Sequence, residues 1–573
     1  MIQDPAARAN GVRAFEETLP EWDDYYLDGP VTSRIAILDF DDKTGELLTG
    51  AVFRPGTAQR LGGFDVPKKD GQYEIYSPAF IQVSVLTTVR KTMEMFEADD
   101  ALGRPLEWAF DAPQLLVVPR AGDMMNAYYE RESHSLQFFY FTNHEDKTIY
   151  TALSRDIVSH ETAHAILDGI APDLYNAITP QSLALHEAIA DLTAALTAFR
   201  SRHLTRQILD QGGSIKAANA FSSVAEEFGL NRNPEASIPY LRSLLNERTL
   251  DTNDTSLDEN GVPNLVKRYE PHALSEVLSG ALYKLLIDMH EREKARLLQQ
   301  PKHQRKTDVQ VSGRALFIVR ERFKRMIYRG LDYLPPGEIT FADYGRAIIA
   351  SDQASHPDQH IERELIRAEF YKRRMAEPGT LTVRDPFAFD GLNDVNLQTL
   401  TESDWAAYEF ANRYREFLGI PEGLHFRVRP RLDVTKTYWQ ADGQEKIREC
   451  IFKVSWDLKE PNQLGPRFPA ERQVTVGTIL AIDWNTKQVR ALLTSDAAAL
   501  SHTDTQPPPS SLEGERDRNQ ALQWLVDSDA LRVGQDAVGP DGKWLKSVVR
   551  AEAMEGLMRL RATARMLHIA RAV

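Results

Sequence analysis

One cysteine, Cys450, stands among 573 residues. It excludes a disulfide within the chain and any cysteine-built zinc site. Its strand-like setting, residues 448–456, marks it as a buried structural thiol rather than a nucleophile. Basic residues are in the minority as well, 68 Lys and Arg against 83 Asp and Glu for a net charge of −15, which argues against a nucleic-acid partner. Long apolar runs are lacking. The opening Met1-Ile2-Gln3-Asp4-Pro5 holds no signal-peptide core, and no later stretch reaches the length of a membrane span. A cytoplasmic protein without a membrane partner is therefore expected. The composition that remains, 42% hydrophobic and 26% charged, is that of an ordinary globular protein. The chain is too long for one core, and several domains are expected.

One stretch concentrates chemistry: His160-Glu161-Thr162-Ala163-His164. On a helix His160 and His164 project from one face, one turn above the other, where two neutral imidazoles can grip one metal ion. Glu161 lies about 100° round from His160 and borders the ion without facing it. Zinc held by three protein ligands keeps a fourth position for water and brings that water's pKa toward about 7, where a neighbouring carboxylate can take its proton. A second helical run, uninterrupted by Gly or Pro from just after Pro180 to Arg200, carries Glu187 as the leading third ligand. Asp191 follows one turn later, placed to hold a ligand imidazole in one tautomer. His186 is the alternative ligand, since neighbours on a helix point about 100° apart and only one of the two can face the ion. His-Glu-x-x-His does arise by composition, and Glu-x-x-x-Asp is commonly a solvated face. Both runs are otherwise apolar here, however. Two His, two Glu and an Asp among Ile, Leu and Ala would be costly to bury unless a shared metal paired them.

Along the chain, residues 1–155 read as a β-rich lobe. It contains a helix from Ser77-Pro78 to Phe96, a buried-strand run at 114–119, and runs at 124–129 and 135–141 expected to form antiparallel strands leading into the metal helix. A strand so close to the site could take an extended peptide as a further strand. Residues 156–376 read as helical, with breaks at Gly212-Gly213, 231–234 and 251–261. A linker is expected at 377–400 and an α+β module at 401–500, with a hairpin turning at 484–487. A flexible, proline-rich linker follows at 501–515, then a helical tail over 516–573 whose amphipathic helix runs from Lys546 to Ala572.

With these residues assembled, residues 60–375 resemble the thermolysin-like zinc endopeptidases. The resemblance implies an α+β fold of two lobes, one β-rich and one helical, with the metal helix between them and the carboxy-terminal α+β module as an addition. It implies one catalytic Zn2+ on His160, His164 and Glu187, with Glu161 as general base and Asp191 orienting the first histidine. Tyr175 and His272 would stabilise the oxyanion. Asn126 and Ala127 would hold the substrate backbone along an edge strand, and Arg242, in Leu241-Arg242-Ser243, would grip the substrate carbonyl beyond the scissile bond. Ile327-Tyr328-Arg329, Tyr333-Leu334-Pro335 and Thr340-Phe341-Ala342 are similar to the family's last helices.

The chain departs from that pattern between Tyr175 and Glu187, which stand further apart. Lys267 occupies the place of the acid that partners the family's oxyanion histidine, with Glu270 available as a substitute. The family's calcium-binding acids after Asp191 are missing, so calcium is not expected. The implied reaction is hydrolysis of peptide bonds in a peptide or protein substrate. One rival is a zinc aminopeptidase, which needs an acidic anchor in a Gly-x-Met-Glu-Asn strand where this chain reads Met125-Asn126-Ala127-Tyr128. The other is a catalytically silent binding scaffold, against which the retained Glu161 counts. Substrate preference and oligomeric state leave no signal in the sequence.

Overall fold

Two sequence periods, one of about 3.6 residues and one of two, alternate along the chain and produce a mixed α+β architecture. The structure, a computed structural model, describes residues 17–562 apart from 20–24, 60, 178, 211–214, 217–221, 225–241, 259–260, 304–305, 358–360, 441–442, 467, 497–508, 528–530, 534–548 and 555–556. Among the described residues, no helix is long and apolar enough to cross a membrane.

The amino-terminal part contains strand β1 (Ile35–Ile37), helix α1 (Pro78–Glu97), and strands β2 (Leu115–Val118), β3 (Ala127–Glu130) and β4 (Ser135–Phe138). Helix α1 starts where expected: Ser77 accepts a hydrogen bond from Phe80 N, and Pro78 occupies the first turn, where its missing N–H costs nothing. The four strands form one sheet in the order β1-β2-β4-β3. The expectation of antiparallel strands is corrected here. β3 and β4 pair antiparallel, but β1–β2 and β2–β4 are parallel. The cause is the hairpin at 131–134, which folds β3 back outside β4 and so runs β4 in the direction of β2. The run at 135–141 also splits, because Phe139 N leaves the ladder to donate to Thr151 Oγ1.

Helix α2 (Arg155–Ile170) is apolar on all sides apart from its chemical residues and is buried along nearly its whole length, as a helix through a core must be. Its end lies against another segment's backbone: a Cβ on Gly169 would come within 2.0 Å of the Glu107 carbonyl oxygen, a place only glycine fits. The short α3 (Pro172–Ala177) turns the chain, and α4 (Pro180–Arg200) returns alongside α2. Helices α5 (Pro271–Leu298), α6 (Asp308–Asp332), α7 (Phe341–Ser355) and α8 (Ile361–Lys372) also lie in this part, and a common hydrophobic core runs through it and the amino-terminal sheet.

Beyond it come α9 (Leu397–Glu402), α10 (Asp404–Arg413) and an eight-stranded sheet that includes β5 (Arg431–Gln440), β6 (Gly443–Pro461), β7 (Glu471–Asp483) and β8 (Val489–Thr494). Side chains alternate across that sheet with period two. Cys450, Phe452, Val454 and Trp456 face a second core with Leu397, Leu400 and Phe410, whereas Ile451, Ile479 and Ala481 point into the core that holds α2 and α4. The sheet is thus a wall of the main body.

Three further expectations are corrected. Residues 377–400 are not an open linker, since Leu392, Leu397 and Leu400 are buried in the second core. The flexible segment at 501–515 gives way to helix α11 (Pro509–Asp527), while 501–508 lie outside the described residues. The helix expected from Lys546 is replaced by β9 (Val549–Met554) and β10 (Leu557–Ala562), an antiparallel pair attached parallel to β7. Ala, Glu, Met and Leu in these segments favour a helix, but pairing with β7 overrides that preference. The end of the expected helix, 563–572, lies outside the described residues.

Candidate metal centre

Facing turns of α2 and α4 bring His160, His164 and Glu187 together, with one donor atom from each lying within 4.8 Å of the others and all three residues buried. His160 Nε2 stands 3.0 Å from His164 Nε2, and Glu187 oxygens lie 3.5 and 3.6 Å from those two nitrogens. Glu187 is fully buried, and neither of its oxygens receives a hydrogen bond within the described structure. A carboxylate so placed calls for cations: Arg242 Nη2 at 3.3 Å is one, and an ion between the two imidazoles would be a second. Two imidazoles and one carboxylate are the donor set of a catalytic zinc site, so the residues fit the ion.

The choice between His186 and Glu187 is decided by direction. Glu187 faces both histidines, while the His186 ring stands 5.7 Å, centre to centre, from His164. Burial pushes the His186 pKa down to about 4 and leaves it neutral at physiological pH.

Asp191, one turn after Glu187, places Oδ1 2.9 Å from His160 Nδ1. Burial alone would lower the His160 pKa, but Asp191 and Glu187 reverse that and raise it to about 10: the same two acids favour a positive charge at Nε2, which a metal ion would supply in place of the proton. The two carboxylates shift the other way. Against the cost of burial, Glu187 is held well below the ordinary carboxylate range by His272, Arg242 and His160, and Asp191 is lowered by Arg242 and His160. Arg242 forks onto Asp191 through Nε at 2.8 Å and Nη2 at 2.7 Å, and Nη2 also lies 3.3 Å from Glu187. The guanidinium expected to grip substrate is therefore engaged with the metal site's own acids.

Glu161 is held differently. Its Oε2 accepts a hydrogen bond from Tyr129 N at 3.2 Å. Tyr129 lies on β3, the edge strand, and this N–H is turned out of the β3–β4 ladder. The Tyr129 hydroxyl donates to Asp168 Oδ2 at 2.8 Å and Arg131 Nε donates to the same oxygen at 2.7 Å, so β3 is tied to the last turns of α2. Sequence reasoning missed Tyr129, Arg131 and Asp168. The available signal was Asp168 itself, a carboxylate on an apolar helix that must find donors.

Asn126 and Ala127 lie at the start of β3, but the Asn126 side chain is folded onto its own strand, where Oδ1 accepts from Ala127 N at 2.9 Å. His272 opens α5 with Nε2 3.7 Å from Glu187 Oε1 and Nδ1 3.0 Å from Glu270 Oε1. Glu270 caps the same helix, accepting from His272 N and Ala273 N at 3.1 and 2.7 Å. Despite partial burial, His272 and these N–H groups bring the Glu270 pKa down to about 2. Against its own burial, His272 is raised by Glu187 and Glu270. Glu270 is thus the acidic partner where Lys267 broke the expected pattern. Tyr175 is on α3, but its side chain, like Leu241, lies outside the described residues. Compared with models of known families and with curated proteins, the chain matches none.

Proposed function

We propose that this chain is a zinc-dependent endopeptidase of the thermolysin-like kind, with the β-rich and helical parts as two lobes on either side of α2. The observation that carries the reading is the buried group of His160, His164 and Glu187, whose carboxylate receives no hydrogen bond, with Glu161 held beside it from an edge strand. His160, His164 and Glu187 would hold the zinc, which when bound supplies Lewis acidity and an acidified water.

The chain's own residues supply the rest. Glu161, oriented by Tyr129 N, accepts the proton of the attacking water and delivers it to the leaving amine nitrogen. His272, held through Nδ1 by Glu270, would donate to the oxyanion from Nε2, and by the resemblance Tyr175 would be the second donor. Asp191 keeps His160 in the tautomer that presents Nε2. An extended substrate would add beside β3, the last strand of its sheet among the described residues.

The test compares wild type with Glu161→Gln on an unfolded protein such as casein. Cleavage that a chelator stops and zinc restores, with a loss of about a thousand-fold in Glu161→Gln at unchanged zinc content, is the expected result. Zinc-loaded wild type that is as inactive as Glu161→Gln would sink the enzyme reading in favour of the silent scaffold.

A further inference from the structure

The connection between the two metal helices is held from behind by the carboxy-terminal sheet. Helix α3 packs on β7 and β10, and its Asp173 lies in the field of Arg427, Lys453 and Asp457 from that sheet. On the opposite side Arg131 donates to Asn176 Oδ1 at 3.0 Å and to the Pro172 carbonyl at 3.2 Å.

A second route reaches the start of α4. Glu338 N donates to the Thr475 carbonyl of β7 at 2.8 Å. A Cβ on Gly337, whose φ is +89°, would stand 2.2 Å from that same oxygen, so loop and strand touch backbone to backbone. Immediately after, Ile339 N donates to Ser182 Oγ at 3.2 Å and Phe341 N donates to Gln181 Oε1 at 2.7 Å. Gln181 and Ser182 are in the first turn of α4, which carries Glu187 and Asp191 further along.

The Glu338 carboxylate is gripped from the carboxy-terminal region. Arg518 of α11 reaches its Oε1 with Nη1 at 3.0 Å, and Arg472 of β7 stands 3.9 Å from its Oε2. Both arginines also pair with Glu460 of β6, and all four side chains are buried. Two guanidinium groups balance two carboxylates away from water, an arrangement that tolerates little displacement.

We propose that Arg518 is a positioning residue for the metal centre: through Glu338 and the 337–341 loop it sets where α4 begins, and so where Glu187 stands against His160 and His164. The region beyond residue 401 is then part of the catalytic apparatus. The kinetic arm of this inference rests on the peptidase reading, while the structural arms do not.

The experiment uses the full chain loaded with Co(II), as wild type, Arg518→Ala and Arg518→Lys. Readouts are the visible Co(II) spectrum, backbone hydrogen exchange over 179–187, and kcat and KM on a peptide. Arg518→Ala is expected to alter the ligand-field bands, speed exchange over 179–187, and lower kcat about ten-fold while KM holds. Arg518→Lys keeps the charge without the fork and should fall between. A folded Arg518→Ala protein with wild-type bands and wild-type exchange overturns the proposal. If Arg518→Ala does not fold, Arg518→Lys decides on the same two readouts. Wild type that binds Co(II) but cleaves nothing would defeat the peptidase reading alone, leaving the spectrum and exchange to judge this one.

Discussion

Asp191 holds Arg242 and His160 at once: its carboxylate accepts the Arg242 fork at 2.7 and 2.8 Å while Oδ1 stands 2.9 Å from His160 Nδ1. The guanidinium keeps Asp191 ionised in a fully buried position, and the ionised carboxylate in turn fixes the ring whose far nitrogen faces Glu187. Asp191→Asn preserves the shape and removes the charge. On the zinc-site reading, affinity for zinc, measured by competition with a chromogenic chelator, should fall about 10- to 100-fold. An unchanged affinity would show that His160 is oriented by packing alone.

Glu270 has two duties, neither of which touches His160 or His164 directly. It caps α5 through two backbone N–H groups and contacts His272 Nδ1. Glu270→Gln keeps one side-chain oxygen for the cap, so thermal stability should drop by about 0.5–1 kcal/mol, while the orienting charge on His272 is lost. The peptidase reading then expects kcat to fall about ten-fold with zinc content and KM unchanged. A variant that loses stability but keeps kcat would make Glu270 a helix cap only.

The meeting of His160, His164 and Glu187 was legible because such a donor pattern is local: two histidines one turn apart, and a carboxylate on the next run, declare themselves by spacing. The support of Glu161 was not, because its partner is a backbone N–H of Tyr129, and every residue but proline offers one. Glu270 was readable as a nearby acid, but only the start of α5 shows that cap and partner are the same carboxylate. The strands β9 and β10 were illegible for a different reason. Their residues suit a helix, and only the proximity of β7, far earlier in the chain, decides otherwise. The same holds for the sheet's double role, since alternation marks two faces but not which core each meets.

Cys450 tests whether the sheet is as closed as its burial indicates. The thiol is fully buried on β6, and burial pushes its pKa up to about 12. Thiolate is the reactive form, so a maleimide should label the native protein only through opening of the sheet. Labelling should therefore be slow at pH 7 and become rapid at the same denaturant concentration at which tertiary structure is lost. Fast labelling of the native protein would place β6 in a dynamic edge instead of a wall between two cores.

Lys453 makes the opposite kind of prediction, a residue whose removal stabilises. It is buried on β6 facing the metal-helix side, and burial brings its pKa from 10.5 down to about 8. The acid that acts on it most strongly, Asp332, is already satisfied by an Arg104 fork at 2.7 and 2.9 Å and by Lys436 Nζ at 2.9 Å. Because the folded-state pKa is depressed, the unfolded chain binds more protons between about 8 and 10.5. Stability linked to Lys453 is therefore present above 10.5 and lost as pH falls through about 8, so the full cost applies at pH 7. Lys453→Met, of similar length and without charge, should raise stability at pH 7 by about 1–3 kcal/mol, read as a shift of the urea midpoint. The advantage should shrink as pH rises above about 8 and vanish near 10.5. A midpoint at pH 7 equal to or below wild type would mean that the Lys453 ammonium is needed by Asp332 or Asp173, and that the buried charges between α6 and β6 act as one balanced group.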